Sequence, residues 1–503
     1  MDIKATMSTF GFGHRESRQI VIERDGELWL AAAPAAVGGF LPMGVSSLPG
    51  TLRVDPLANG EPEKYTYEAT ESLLELTTAS GAKFQLAIDS GASALRIEGS
   101  SAIRLDGVAT ASFGTSTILR EGIKLSVGAI NYLFVVKHGK WKFDDTWLLN
   151  QFHSVTPVLE VTPDGGRVEI AVYDLPADTP IPALNGTLSD CAAANAADFA
   201  KFRDSLLDIP GEWRDVRDRA AFLLWLCHRR RDDGAEFIVR NKYNDAFSSA
   251  QMMAIASMAF KDEAKALSLL LANPVSSPPI AGAAVAAMLE RGMLNDARGT
   301  IYQVYSLLDD AARFWINERT VEKDGLSFYA YRFESGAPTS PEFFTVGEPV
   351  FAPDLNSYLI LISEVLGKLA LLEYDDGEGH KWEERSKSLL RMMFGELWNG
   401  EDFVGKNPYT GEQSEADPFL SLVPIVLGGR SPAGMAARIG DKMTLDKVKS
   451  PEGLLLVAGL FDAGAVSKAK EMTGKALESV RAEGIGDPFY GASLIALAAK
   501  TLM

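Results

Sequence analysis

Two hydrophobic rhythms divide the chain. Over the first part, apolar and polar positions alternate in short runs, the two-residue period of half-buried strands. Residues 18–32 hold two such runs on either side of Asp25-Gly26, which predicts a hairpin. Further runs fall at 64–68, 73–78, 84–89, 95–99, 124–127, 132–138, 155–161 and 167–173. Gly, Asp, Asn and Pro punctuate them at intervals near ten residues, which suggests an antiparallel sandwich rather than a βαβ sheet. From about Asn195 the period lengthens. Phe199, Phe202 and Leu206 fall at helical spacing, and so do Ala220, Leu223, Leu224 and Cys227. Helical stretches are predicted near 245–260, 262–272, 280–291, 296–318, 355–372, 380–398, 418–428, 432–446, 452–463, 465–483 and 490–502. The stretch around Pro182 and Asn185-Gly186 reads as a linker. The expected division is therefore a β-sandwich-like domain over 1–180, a linker over 181–195 and a helical domain over 196–503. No fixed-period repeat is visible, which favours a closed toroid of six helical hairpins over a solenoid. The expected fold class is α+β multidomain: an N-terminal antiparallel β-sandwich followed by an (α/α)6 toroid.

Charge narrows the partners. Lys+Arg number 49 and Asp+Glu 67, a net charge of −18, and such a surface repels phosphate backbones and anionic lipid. The expected partner is a small-molecule substrate, not nucleic acid or membrane, with a homo-oligomer left open. Cys191 and Cys227 provide neither a disulfide framework nor zinc spacing. His14, His138, His153, His228 and His380 share no metal-ligand spacing, so no metal and no cofactor are expected. Gly377-x-Gly379 and Gly428-Gly429 lack the preceding strand of a phosphate-binding loop. The N-terminal residues lack the apolar core of a secretory signal, and no apolar run reaches bilayer length, so a cytoplasmic location is expected.

Five segments then stand out in order. They are Arg240-Asn241-Lys242-Tyr243-Asn244-Asp245-Ala246-Phe247, Ser277-Pro278-Pro279, Asp324-Gly325-Leu326 leading to Glu334-Ser335-Gly336, Asp354-Leu355-Asn356, and Glu396-Leu397-Trp398-Asn399. In order and spacing they resemble the six-hairpin glycosidases, most closely the trehalases and the family-63 glycoside hydrolases. The resemblance implies an (α/α)6 barrel, often behind a β-sandwich, and hydrolysis with inversion. One carboxyl protonates the leaving oxygen while another, across the ring, activates water. It also implies that Pro338 occupies the position of the usual general acid, in Glu334-Ser335-Gly336-Ala337-Pro338. The family's Arg-x-Gln-Pro-Pro sugar clamp reads Val275-Ser276-Ser277-Pro278-Pro279. The loop that holds the family base is short here, and only Glu483 or Asp487 could supply it.

The candidate catalytic carboxylates are thus Asp245, Glu334, Glu483 and Asp487, with Arg240, Tyr243, Tyr331 and Phe344 as substrate contacts. Glu342 and Glu348 share a loop with Glu334 and are expected to be solvated. Asp354 is expected to cap the helix that it opens. The reading is a carbohydrate-active enzyme resembling an inverting glycoside hydrolase, acting on a small glycoside with a non-standard carboxylate pair. The lost polar handles leave two alternatives: a lyase, isomerase or cyclase on the same barrel, or a non-catalytic binding protein.

Overall fold

The Asp25-Gly26 turn forms as its residues dictate. Both have positive φ, 55° and 82°, the mirror-image geometry that matches strand twist, and Arg24 pairs with Glu27 across it. The structure is a computed structural model. It describes residues 1–32, 52–107, 114–120, 122–127, 130–150, 152–175, 179–230, 234–240, 249–272, 277–294, 298–322, 325–373 and 375–503. The chain divides into two units. One comprises Met1–Asp204, Ala221–Arg230 and Val239–Phe247; the other comprises Ser205–Ala220, Arg231–Ile238 and Ser248–Met503.

The first unit is built on two antiparallel sheets that form a sandwich. In spatial order the first runs Phe12–Gly13, Gln19–Arg24, Glu27–Ala32, Leu52–Ala58, Ala102–Gly107, Phe152–Thr162 and Lys140–Asn150, with Glu61–Pro62 beside Leu52–Ala58. The second runs Gly114–Ile118, Ile123–Val127, Ile130–His138, Val168–Asp174, Ala94–Gly99, Lys83–Asp89, Leu74–Thr78 and Tyr65–Ala69. Alternation places one face of Leu74–Thr78 and of Ala102–Gly107 inside: Leu74, Leu76 and Thr78 are buried, as are Ile103 and Leu105. Every residue of Val168–Asp174 is buried, which hides the two-residue period in the most interior strand.

The helices are α1 (Leu188–Asp204), α2 (Arg214–Cys227), α3 (Ala250–Ser257), α4 (Glu263–Ala272), α5 (Ala281–Glu290), α6 (Arg298–Glu318), α7 (Pro341–Thr345), α8 (Pro353–Leu372), α9 (Asp376–Leu397), α10 (Ala433–Lys442), α11 (Pro451–Asp462), α12 (Val466–Glu483) and α13 (Pro488–Leu502). Helix α1 starts earlier than the change of period at Asn195 suggests. Thr187 and Asp190 cap it reciprocally, each side chain accepting the other's backbone N–H at 3.2 and 2.7 Å.

In the second unit six helical segments close a ring. Helix α3 packs on α5, α5 on α8, α8 on the helical segment Leu420–Arg430, that segment on α11, α11 on α13, and α13 back on α3. Helices α4, α6, α9, α10 and α12 each pack on a ring member and form the second layer. Ring closure needs small side chains where helices meet. A Cβ on Gly282 would lie 2.5 Å from Ile362 Cγ1, and one on Gly459 would lie 2.4 Å from the Ile425 carbonyl oxygen. Helix α8 is long and apolar enough to cross a membrane, contrary to the expectation that no such run exists, but 78% of its apolar window is buried inside the protein. It is a core helix of the ring, apolar because it is packed on all sides.

Candidate active site

The ring helices start alike. Ser249, Ser450 and Asp487 cap α3, α11 and α13 by accepting backbone N–H groups of the first turn, and proline opens α8, α11 and α13. Asp417 does the same before Leu420–Arg430, accepting from Phe419 and Leu420 N–H at 2.7 Å. Ser277-Pro278-Pro279 lies just before α5 and Asp354-Leu355-Asn356 lies in the first turn of α8, so the ring brings these two to one end of the second unit.

Three of the segments singled out from sequence meet directly. The Ser277 hydroxyl donates to the Glu334 carbonyl. Gly336, at φ 71°, carries the turn past Pro278 and Gln251; a Cβ there would lie 3.3 Å from Pro278 Cδ and 3.6 Å from Gln251 Oε1. Asp354-Leu355-Asn356 explains itself as a clamp. Two residues apart at the start of α8, Asp354 accepts from the Tyr329 hydroxyl at 2.9 Å, and Asn356 exchanges hydrogen bonds with Ser327 backbone at 3.0 and 2.9 Å. The clamp fixes the short ribbon that pairs Phe328–Tyr329 with Val350–Phe351, a strand pair that the helical period did not foretell.

The carboxylates at this end fall into two environments. Glu334 is held on both oxygens. Its Oε1 accepts from Arg319 Nε at 3.2 Å and Nη2 at 2.8 Å, and its Oε2 accepts from Ala330 N–H at 2.7 Å. Asp487 Oδ1 accepts from Phe489 N–H at 2.7 Å. Gln251 donates to Glu452 at 3.1 Å. Glu342 and Asp354 differ. Glu342 is fully buried, and neither of its carboxyl oxygens has a hydrogen-bond partner among the described residues. Burial, then the nearby charges of Asp354 and Asp417, push its carboxyl well above the usual range. Burial likewise raises Asp354 to about 6, against the pull of the Tyr329 hydrogen bond, and its Oδ1 has no partner among the described residues. Gly405 is what lets the chain pass so close: a Cβ there would lie 3.1 Å from both Glu342 Oε2 and Ser414 Oγ.

The other candidates are placed as follows. Glu483 ends α12 and is exposed. Tyr331 and Phe344 are each 61% exposed, and the Arg332 guanidinium stacks on Phe344 at 5.2 Å. Arg240 is exposed in the first unit. Tyr243 and Asp245 lie outside the described residues, as do Val275, Ser276 and Asp324. Glu342 was expected in solvent and is instead in the core: Ser340 caps α7, Pro341 opens it, and the second helical residue turns inward. The same Ser-Pro-Glu string at 450–452 starts α11. That repeat was the legible signal for both: Glu342 was named from sequence but expected in solvent, and Glu452 was not named. Among the described residues no group of His, Cys, Asp and Glu has a metal-holding arrangement.

Comparison with known proteins agrees with this architecture. The family described as the mannosylglycerate hydrolase MGH1-like glycoside hydrolase domain matches residues 219–449. A bacterial glucoamylase solved with acarbose is 10% identical with a TM-score of 0.52, covering 98% of this chain and 93% of its own. That likeness establishes the shared fold. A family-63 mannosylglycerate hydrolase from Thermus thermophilus, solved with glucose, is 15% identical with a TM-score of 0.40, covering 50% of this chain and 91% of its own. A family-92 inverting mannosidase from Bacteroides thetaiotaomicron is 9% identical with a TM-score of 0.47, covering 97% and 80%. No curated protein matches the chain. The β-sandwich and closed ring of helices are thus the fold of a known glycosidase, and residues 219–449 within it are similar to a glycoside hydrolase domain.

Proposed function

We propose that the chain is an enzyme that hydrolyses a small glycoside with inversion, at the end of the ring where its helices start. Residues 1–180 would be the accessory sandwich and 196–503 the catalytic toroid, working in the cytoplasm. One observation carries the reading: carboxylates from separate segments gather at this end in contrasting states. Asp354 and Glu342 are shifted toward holding a proton, whereas Glu334 is ion-paired. Inversion needs one protonated and one ionised carboxyl.

In this reading Pro338 stands where the usual acid would, and Asp354, with a pKa of about 6, takes over as proton donor. Asp487 or Glu483 activates the water. Glu334, already gripped by Arg319, positions the loop. Asp245, Arg240, Tyr243, Tyr331 and Phe344 are the proposed sugar contacts. The chain's likeness to a mannosylglycerate hydrolase domain makes glycosides of small acids the first substrates to try.

A second reading, a lyase, isomerase or cyclase, is favoured by Pro338 in the position of the usual acid and by Val275 and Ser277 in place of the sugar clamp's polar donors. Proton NMR of the first-formed sugar separates the two. Release of a free sugar as the inverted anomer supports the proposal. Conversion of a glycoside without a free reducing sugar supports the second reading and overturns the first.

A further inference from the structure

The opposite end of the ring holds a cavity of about 890 Å³. Its walls come from the ends of ring helices: Arg291 follows α5, Lys368 lies in the last turns of α8, Arg430 ends Leu420–Arg430, and Lys500 lies near the end of α13. It is thus distinct from the carboxylate end. Small side chains make the space. Ala283, Ala286, Ala287 and Ala458 face it, with Leu361 and Leu497 adding apolar surface. The volume falls in the range of small-molecule sites, and mostly apolar walls with a few polar groups are the usual makeup of such sites.

The polar groups carry a signature. All four lining acids, Asp208, Glu290, Glu364 and Asp462, are ion-paired with a lysine or arginine of the same wall. Arg291 is the exception among the lining cations. Its Nη1 donates to the Met258 carbonyl at 2.6 Å, but Nε and Nη2 are buried and have no hydrogen-bond partner among the described residues. These two N–H groups form the edge of a guanidinium that grips a carboxylate side-on. The chain uses that edge elsewhere: Arg15 holds Asp198 through Nε and Nη2 at 2.8 and 2.7 Å, and Arg481 holds Asp215 at 3.1 and 2.7 Å. A buried cation with an unmet edge costs free energy that a bound anion would offset. Burial accordingly lowers the Arg291 guanidinium from its ordinary value.

We propose that this cavity is a second binding site, for an amphipathic monoanion: a carboxylate that pairs with Arg291 and an aliphatic body that lies on the alanine-lined walls. Pairing takes a change of the Arg291 rotamer, which turns its unmet edge into the space it already borders. The proposal is independent of the reaction at the other end.

Decanoate and its neutral counterpart 1-decanol are the probes, titrated into the full chain against 8-anilinonaphthalene-1-sulfonate fluorescence. The expected result is saturable displacement by decanoate at one site per chain. Arg291→Leu should weaken decanoate by about tenfold or more and decanol by less than about twofold, the difference expected for a lost charge-assisted pair. Ala458→Phe should abolish both by filling the space. Arg291→Lys, which keeps the charge, guards against loss of fold, and thermal unfolding of each variant is recorded alongside. Failure of decanoate to saturate, or equal binding by folded Ala458→Phe, would overturn the site. Equal decanoate affinity in folded Arg291→Leu would overturn the role of the anion.

Discussion

Asp354 has the residue-scale property that can be measured most simply. Its carboxyl is raised by burial to about 6, so between its ordinary value and 6 the folded state holds a proton that the unfolded state releases. Stability from this group is therefore full below about pH 4 and lost as pH rises through 6, by about 3 kcal/mol in all. Glu342, raised in the same sense, adds to the trend. Asp354→Asn should flatten the part of the stability profile between pH 4 and 6, read by urea unfolding at a series of pH values. An unchanged slope would mean that Asp354 is ionised in the folded state. Gly336 offers a second test. Its φ of 71° and the nearby Pro278 disfavour any side chain, so Gly336→Ala should cost about 1–2 kcal/mol in thermal unfolding. Little of this environment was legible in the sequence. Glu342 reads as a loop carboxylate because nothing local says that Gly405 and Ser414, some sixty residues on, will enclose it. Glu334 was visible as a motif, but its partner Arg319 was not.

At the scale of elements, periodicity served well where one face of an element is wet. The 465–483 and 490–502 stretches fall within two residues of α12 and α13. It failed where pairing is remote or burial complete. Lys140–Asn150 and Ala102–Gly107 went unread as strands, and the ribbon of Phe328–Tyr329 with Val350–Phe351 is too short to show a period. Capping signals, by contrast, carry both structure and chemistry. Asp487 caps α13 and is also a proposed base, and two substitutions separate the roles. Asp487→Ser keeps a capping oxygen and should cost stability little, whereas Asp487→Ala should cost about 1 kcal/mol. If Asp487 is the base, both variants lose turnover alike. Turnover that follows stability instead would leave it a cap and shift the base to Glu483.

At the scale of the molecule, the ring brings separated segments to one end. Segments near 277, 354, 417, 452 and 487 are far apart in sequence, yet each lies just before or in the first turn of a ring member, so closing α13 on α3 brings them to one end. Order along the chain made the six-hairpin resemblance visible; which carboxyls are raised by burial was not, because no local pattern encodes burial. The most direct test of the account is turnover itself. Purified protein would be incubated with α- and β-glucosides, trehalose and glycosides of glycerate in oxygen-18 water, and the products weighed by mass spectrometry. The account predicts release of a sugar carrying one oxygen-18 at the anomeric carbon, lost in Asp354→Asn. Absence of labelled sugar across the panel, or undiminished release by Asp354→Asn, would contradict it.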